Sequence, residues 1–188
     1  MSETPAPTPP TAPAPAPRPT LPHGQAETLP PEEQLTEAEV ETEVQAELEG
    51  LEVDTPRVGI VMGSKSDMPA MEKAAAELDE RGIRHETRVM SAHREPEVVA
   101  DYARNAQMRG LRVIIAGAGL SAALPGVVAA YTDLPVIGVP LTGRLSAAGG
   151  LDAILSIVQM PPGVPVGCVG LDDARNAAIL AARILGSR

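Results

Sequence analysis

Five short strand-like runs alternate with segments of helical periodicity between residues 57 and 185. The runs are Val58–Met62, Arg84–Met90, Leu111–Ala116, Pro135–Val139 and Pro165–Val169. The intervening segments predict helices over Met68–Arg81, over Glu95–Arg109, from the glycines at 117–119 through Tyr131, and over Asp172–Leu185. Strands that alternate with helices form a parallel sheet covered on both faces. The sequence therefore predicts an α/β domain of three layers, α/β/α, around a five-stranded parallel sheet.

The loops after the first three strands are the richest in Gly, Ser and titratable side chains. In a doubly wound sheet, ligands bind beyond the carboxyl ends of the strands, where the strand order reverses. In the flavodoxin-like order 2-1-3-4-5 these three strands are neighbours. We therefore expect one pocket to collect all three loops.

Charge and proline content divide the chain near residue 54. Residues 1–54 hold 12 of the 25 acidic residues and one of the 15 basic residues, a net charge of −11, and residues 1–31 hold 11 of the 20 prolines. Such a segment buries too little apolar surface to offset its ordering entropy. The sequence predicts a disordered tail over 1–54, Pro-rich and then acidic, and one folded domain over 55–188.

Composition also limits the partners and the compartment. Residues 55–188 carry a net charge of +1, and the chain has no Phe or Trp for stacking bases, so nucleic acid is not an expected partner. No apolar run approaches the roughly 18 residues of a membrane span, and no secretion signal is evident. Cys168 cannot form an internal disulfide and fits a packing role in a reducing cytoplasm. No cluster has metal-ligand spacing, so no metal is expected.

The first loop, Gly63-Ser64-Lys65-Ser66-Asp67, permits two interpretations. In the first, Ser64 or Asp67 caps the helix that follows. Alternatively, backbone amides and the hydroxyls of Ser64 and Ser66 bind a phosphate at a helix N-terminus, while Asp67 accepts from sugar hydroxyls. The loop lacks the spacing of a Walker A motif.

The second loop, Ser91-Ala92-His93-Arg94, places a hydroxyl, an imidazole and a guanidinium side by side. Histidine is the side chain whose ordinary titration falls nearest neutral pH, which suits proton transfer. Ser91 and Arg94 suit an anion. His93 is therefore the candidate general acid and base, whereas His85 sits within a strand and is expected at a polar edge or an interface.

The third loop, Gly117-Ala118-Gly119-Leu120-Ser121-Ala122, matches the G-x-G-x-x-A pattern of dinucleotide-binding proteins. That interpretation also requires an acidic residue at the end of the next strand, where the chain reads Ile137-Gly138-Val139-Pro140. A nicotinamide oxidoreductase is therefore disfavoured. The alternative is that glycines such as Gly119 let the backbone approach a ligand closely.

Taken together, Gly63–Asp67, Ser91–Arg94, Ala116–Gly119 and Ser156–Pro161 closely resemble the class I 5-(carboxyamino)imidazole ribonucleotide mutases of purine biosynthesis, and the resemblance covers residues 57–186. It implies a flavodoxin-like subunit, a homo-octamer, and transfer of a carboxylate from the exocyclic amine to ring carbon 4 without metal or cofactor. It implies that His93 is the general acid and base. It implies that residues 55–188 form a nucleotide-binding catalytic domain, in which Ser64, Asp67 and Arg94 bind the nucleotide and Ser66 and Ser91 are supporting phosphate or ribose contacts.

The third loop departs from the family pattern at Ala123, where members of the family commonly have a second histidine. This leaves His93 as the only candidate base and keeps two alternatives open. One is a class II carboxylase that takes up carbon dioxide directly. The other is a flavodoxin-like nucleotide-binding module without catalysis. Because the third loop is small and apolar, we expect a sealed pocket and mutase behaviour.

Overall fold

The computed structural model describes Thr42, Val44, Gln45 and residues 55–186. Its strands are β1 (Val58–Met62), β2 (His85–Val89), β3 (Val113–Gly119), β4 (Val136–Leu141) and β5 (Gly167–Cys168). Its helices are α1 (Met68–Glu80), α2 (Pro96–Arg104), α3 (Leu124–Ala130), α4 (Leu151–Val158) and α5 (Ala174–Ile184). The strands are all parallel and lie in the order β2-β1-β3-β4-β5. The predicted flavodoxin-like order is confirmed.

Two buried clusters, one on each face of the sheet, make the three layers. One cluster joins the strands to α1 and α5 and includes Ile60, Met71 and Ala178. The other joins the strands to α2, α3 and α4 and includes Val61 and Ile157. Neighbouring β1 residues point to opposite faces because side chains alternate along a strand. Both β1 faces are therefore covered, which explains its continuous apolar sequence.

Several predicted boundaries were wrong, and each has a local cause. The helix predicted over Glu95–Arg109 ends at Arg104, because the Asn105 side chain donates to the Asp101 carbonyl (3.0 Å) and carboxylate (2.9 Å). A separate 3₁₀ turn then ends at Gly110, whose φ is 90°.

The glycines at 117–119 belong to β3, not to the turn that follows it. A Cβ added at Gly117 would stand 2.4 Å from the Met71 sulfur, so the glycine lets α1 pack closely on the strand. The sequence prediction also missed helix α4 and shortened β4. It overestimated β5, which is two residues long and leaves Cys168 half-buried, with the pKa of its thiol raised by burial.

The tail predicted over residues 1–54 lies outside the described residues, apart from Thr42, Val44 and Gln45, which are helical and exposed. The division of the chain at residue 54 therefore stays a prediction. Among the residues that the structure describes, no helix is long and apolar enough to cross a membrane.

A buried carboxylate ties the two helices on one face of the sheet together. Glu77 of α1 accepts from Arg81, the residue directly after that helix (2.7 Å to Nη2), and from Arg175 of α5 (2.6 Å to Nε). Hydrogen bonds from Arg175 and then Arg81 hold the pKa of this carboxyl below its usual range, against the opposing effect of burial. Because the folded pKa is depressed, the ionised carboxylate stabilises the fold above the ordinary glutamate value of about 4.3.

The predicted consequence concerns Glu77→Gln. At pH 7 the variant should melt several degrees Celsius below the parent chain, because two guanidiniums lose their carboxylate. As the pH falls below about 4.3 and through the folded pKa, the difference should shrink, since the parent carboxylate becomes protonated too. Urea unfolding at a series of pH values measures both effects, with the exposed Glu72→Gln on the same helix as control. A difference that stays constant down to pH 3 would contradict this account.

Candidate functional site

The strand register brings four loops to one edge of the sheet. Met62, the last residue of β1, lies opposite Val89 at the end of β2 and opposite Gly117 in β3. Gly119 in turn lies opposite Leu141, the last residue of β4. The loops enclose a cavity of about 730 Å³. Its lining consists of Gly63, Ser64, Ser66, Asp67, Ser91–Arg94, Ala118–Leu124 and Leu141–Ser146.

All seven residues predicted for the site line this one cavity: Ser64, Ser66, Asp67, Ser91, His93, Arg94 and Gly119. Six come from the loops after β1 and β2, and Gly119 is the last residue of β3, which lies next to β1 as the predicted strand order requires. Their chemical roles stay predictions. His85, by contrast, is absent from the lining and lies 3.1 Å from the Asp79 carboxylate, consistent with a polar edge.

The loop after β1 is a capped turn. The Ser64 hydroxyl oxygen accepts from the Ser66 backbone amide (3.2 Å) and from the Ser66 hydroxyl (2.8 Å), at the start of a 3₁₀ turn over Lys65–Asp67. The Ser66 hydroxyl also lies 3.4 Å from the Asp67 carboxylate. Ser64 therefore caps the 3₁₀ turn, whereas Asp67, the N-cap residue of α1, makes no side-chain capping bond. Capping does not remove the serine hydroxyls from the cavity, which they line.

Asp67 combines burial with nearby donors. Partial burial raises the pKa of its carboxyl, while hydrogen bonds from Ser64 and Ser66 and the charge of Arg94 act in the opposite direction. A carboxylate in such a setting is suited to accept hydrogen bonds from a ligand's hydroxyl groups once water is displaced.

The loop after β2 is fixed to the loop after β1. Arg94 Nη2 donates to the Gly63 carbonyl oxygen at 2.8 Å, and the Glu95 amide donates to the Ser91 carbonyl oxygen at 2.8 Å. Ser91 is buried, whereas His93 and Arg94 are exposed. Within the described part of the chain, the His93 imidazole has no hydrogen-bonding partner, so both ring nitrogens remain available to a ligand.

The third loop supplies the apolar wall. Ala122, Leu124 and Leu141 are almost fully buried, and Leu120 adopts the left-handed region at φ 55° with 45 % of its surface exposed. Helix α3 begins only at Leu124, and its N-cap residue, Ala123, makes no side-chain capping bond. The glycines therefore do not form the strand-to-helix turn of a dinucleotide site, which counts further against nicotinamide binding.

Sequence reasoning missed a fourth loop, over residues 142–146. It contributes Thr142, Arg144 and Ser146 to the lining. The sequence did contain a signal for this loop, because residues with hydroxyl and guanidinium groups directly follow a strand that pairs with β3. Within the described residues, no group of three or more His, Cys, Asp or Glu side chains is arranged to hold a metal ion.

Comparisons with known proteins agree on one family. The family model described as AIR carboxylase matches residues 57–188. The N5-carboxyaminoimidazole ribonucleotide mutase of Mycobacterium tuberculosis strain H37Rv is 60 % identical over 135 residues, 71 % of this chain and 76 % of that protein. The Pyrococcus abyssi protein of the same name is 56 % identical over 135 residues, 72 % of this chain and 76 % of its own.

A solved structure also matches. The crystal structure of Treponema denticola PurE has a TM-score of 0.61 and 36 % sequence identity, covering 70 % of this chain and 80 % of that one. This match therefore rests on sequence as well as on fold.

The geometry at Gly119 predicts a stability effect. A Cβ added there would stand 2.8 Å from the Leu141 carbonyl oxygen, a backbone atom that cannot move away as a side chain would. Gly119→Ala should therefore destabilise the domain by about 1–3 kcal/mol, the usual cost of overpacking. The control is Gly143→Ala, since nothing lies within 4 Å of a Cβ added at Gly143. Equal denaturation midpoints for the two variants would contradict the predicted collision.

Proposed function

The chain belongs to the AIR carboxylase family, and from that premise we propose that it is a mutase acting in de novo purine biosynthesis. It converts 5-(carboxyamino)imidazole ribonucleotide to the isomer that carries the carboxylate on ring carbon 4. The observation that supports this function most directly is the single cavity that gathers His93, Arg94 and the hydroxyls of the first loop. The mutase names of its relatives count against a module without catalysis.

The polar side of the cavity binds the nucleotide in this proposal. The hydroxyls of Ser64 and Ser66 and the guanidinium of Arg94 hold the 5′-phosphate, because charge-assisted hydrogen bonds to phosphate are strong. Asp67 accepts from the ribose hydroxyls, and Ser91 supports the same end of the substrate. The imidazole ring of the substrate is then directed towards the third loop. Gly119 has no side chain, so the backbone can approach the substrate closely there.

His93 moves one proton in each direction. In the first step the carbamate C–N bond breaks, its electron pair returns to nitrogen, and the imidazolium protonates that nitrogen to give the free amine and carbon dioxide. In the second step the electron pair of ring carbon 4 attacks carbon dioxide, and the neutral imidazole removes the proton from that carbon. The two steps together consume and release one proton, so no cofactor is required.

The apolar wall retains the carbon dioxide. Ala122, Leu124 and Leu141 offer no hydrogen bond to a carboxylate, and a desolvated carbamate loses carbon dioxide more readily. Leu120 and Leu145 at the mouth are 45 % and 68 % exposed in the single chain. The sealed pocket therefore requires further cover, from the bound nucleotide or from a second copy of the chain.

We propose a homo-octamer as the source of that cover. Leu151, Leu155 and Val158 of α4 are each nearly half exposed, an unusual apolar face for an isolated domain. A second cavity of about 470 Å³, lined in part by Ala123 and Tyr131, adjoins the same region. The remaining parts of the proposal are a cytoplasmic location, no nucleic-acid or membrane partner, and a catalytic domain over 55–188 with the tail outside it.

Direct carboxylation of aminoimidazole ribonucleotide by dissolved carbon dioxide is the second candidate. One observation favours it: Ala123, where the family pattern has a histidine, lines both the main cavity and the second one. Because the side chain at this position is only a methyl group, the wall between the main cavity and the second cavity is thin there. Carbon dioxide would exchange with solvent if the wall opens there.

Labelled bicarbonate distinguishes the two candidates. The carbamate substrate is turned over in buffer that contains isotopically labelled bicarbonate. A mutase keeps the carbon dioxide that it releases, so its product should take up little label. Ala123→His is the matched variant, and it should take up no more label than the parent. Full labelling of the product, together with equally fast turnover of aminoimidazole ribonucleotide, would contradict the mutase proposal and favour the carboxylase.

The role of His93 predicts the behaviour of His93→Asn. Asparagine keeps the approximate size of the side chain but does not transfer protons at neutral pH, so turnover should fall about 10²-fold or more. Nucleotide affinity should stay within a few fold of the parent value. The control is His85→Asn, outside the cavity, which should retain parent turnover. Near-normal turnover of His93→Asn would remove this residue from the mechanism.

A further inference from the structure

The loop after β4 is fastened at several points. The Asp172 carboxylate accepts from the Thr142 backbone amide (2.8 Å) and from the Thr142 hydroxyl (2.5 Å). The Gly143 amide donates to the Ser146 hydroxyl oxygen at 2.8 Å, which closes the loop on itself. The Ala147 amide donates to the Asp152 carboxylate at 2.9 Å. The loop tip, which carries Arg144, is therefore held in one place from both sides.

Asp172 has an unusual backbone conformation at this junction. Its φ is 59°, in the left-handed region that aspartate tolerates better than most residues. Its own amide donates to the Pro140 carbonyl oxygen at 2.8 Å. The turn before α5 is thus joined to the end of β4 by a backbone bond and two side-chain bonds. An aspartate placed 30 residues away in sequence sets the position of a cavity loop.

Arg144 is a cation on this fixed loop without a partner of its own. It lines the cavity and is exposed, and within the described residues no carboxylate or carbonyl accepts from it. Arg94, the other arginine of the lining, already donates to the Gly63 carbonyl oxygen. The one carboxylate of the lining is Asp67, so the lining carries two guanidiniums and a single acid. That balance suits a ligand with more than one negative charge.

We propose that Arg144 binds the 5′-phosphate of the nucleotide substrate, and that Asp172 is the positioning residue that holds Arg144 in place. The proposal rests on the proposed function and adds a second cation to phosphate recognition. The phosphate is the better partner for a physical reason. A guanidinium on the carbamate would stabilise that anion relative to neutral carbon dioxide and slow the first step. The phosphate keeps its charge throughout, so a guanidinium bound to it does not slow the reaction.

Arg144→Met provides the first test. Because phosphate binding is equal in the ground and transition states, KM should rise about 10- to 100-fold while kcat changes less than threefold. Arg112→Met, at an exposed arginine outside the cavity, is the control and should match the parent. Asp172→Ala should raise KM in the same direction, and Asp172→Asn should recover part of the loss, because its carbonyl oxygen still accepts from the Thr142 amide. A fall in kcat with unchanged KM would overturn the proposal.

The corresponding nucleoside, which lacks the 5′-phosphate, identifies the group that Arg144 contacts. The parent and Arg144→Met should have equal kcat/KM on the nucleoside, because there is no phosphate for Arg144 to bind. If the penalty of the variant persists on the nucleoside, Arg144 contacts another part of the substrate and the proposal is wrong.

A binding measurement separates failure of this proposal from failure of the proposed function. Calorimetry with aminoimidazole ribonucleotide needs no turnover, so it applies even if the parent chain shows no mutase activity. Arg144→Met should bind this nucleotide about 10- to 100-fold more weakly than Arg112→Met. Sedimentation velocity and thermal melting should show that both variants keep the parent assembly and fold. Equal affinity of the two variants in this assay would overturn the proposal.

Discussion

The cavity depends on the register that β1 shares with β2 and β3. Met62 stands opposite Val89 on one side and Gly117 on the other, so the loops leave the same edge of the sheet. The bond from Arg94 to the Gly63 carbonyl then joins two of these loops. A slip of one residue between β1 and β2 would move every side chain of the slipped strand to the opposite face of the sheet and would separate these loops. The site is therefore a consequence of strand pairing.

Glycines let the layers approach closely enough to preserve that arrangement. A Cβ at Gly138 would meet the Ile157 side chain of α4 at 2.4 Å, much as one at Gly117 would meet Met71 of α1. These two positions lie on neighbouring strands and serve opposite faces of the sheet. Side chains of a core without Phe or Trp each bury less apolar area. Close approach of helix and strand compensates for this loss, because it increases the number of van der Waals contacts.

The sequence predicted the first four strands, their order and the cavity residues of three loops because each has a local signature. Apolar runs mark strands, and polar groups directly after them mark the ligand edge. Helix α4 escaped prediction because it is only eight residues long and mostly apolar, with apolar residues on its exposed side as well as its buried side. The fourth loop was missed although its polar residues directly follow β4. Only its fixed position, which depends on Asp172, could not be predicted from the local sequence. The chemical roles assigned to His93 and its neighbours stay predictions, since the structure shows where these residues lie but not how they react.

The strand order also separates the polar and apolar halves of the cavity. The loops after β2 and β1 bring hydroxyls, Asp67 and Arg94, whereas the buried lining beside β3 and β4 is apolar: Ala118, Ala122, Leu124 and Leu141. A reaction that passes through carbon dioxide needs this separation, because a cation on the apolar side would favour the carboxylate over the neutral gas. Arg144 follows β4, yet it lies at the exposed tip of its loop and not among the buried side chains. Its charge can therefore act on a phosphate at the mouth without stabilising the carboxylate that must leave.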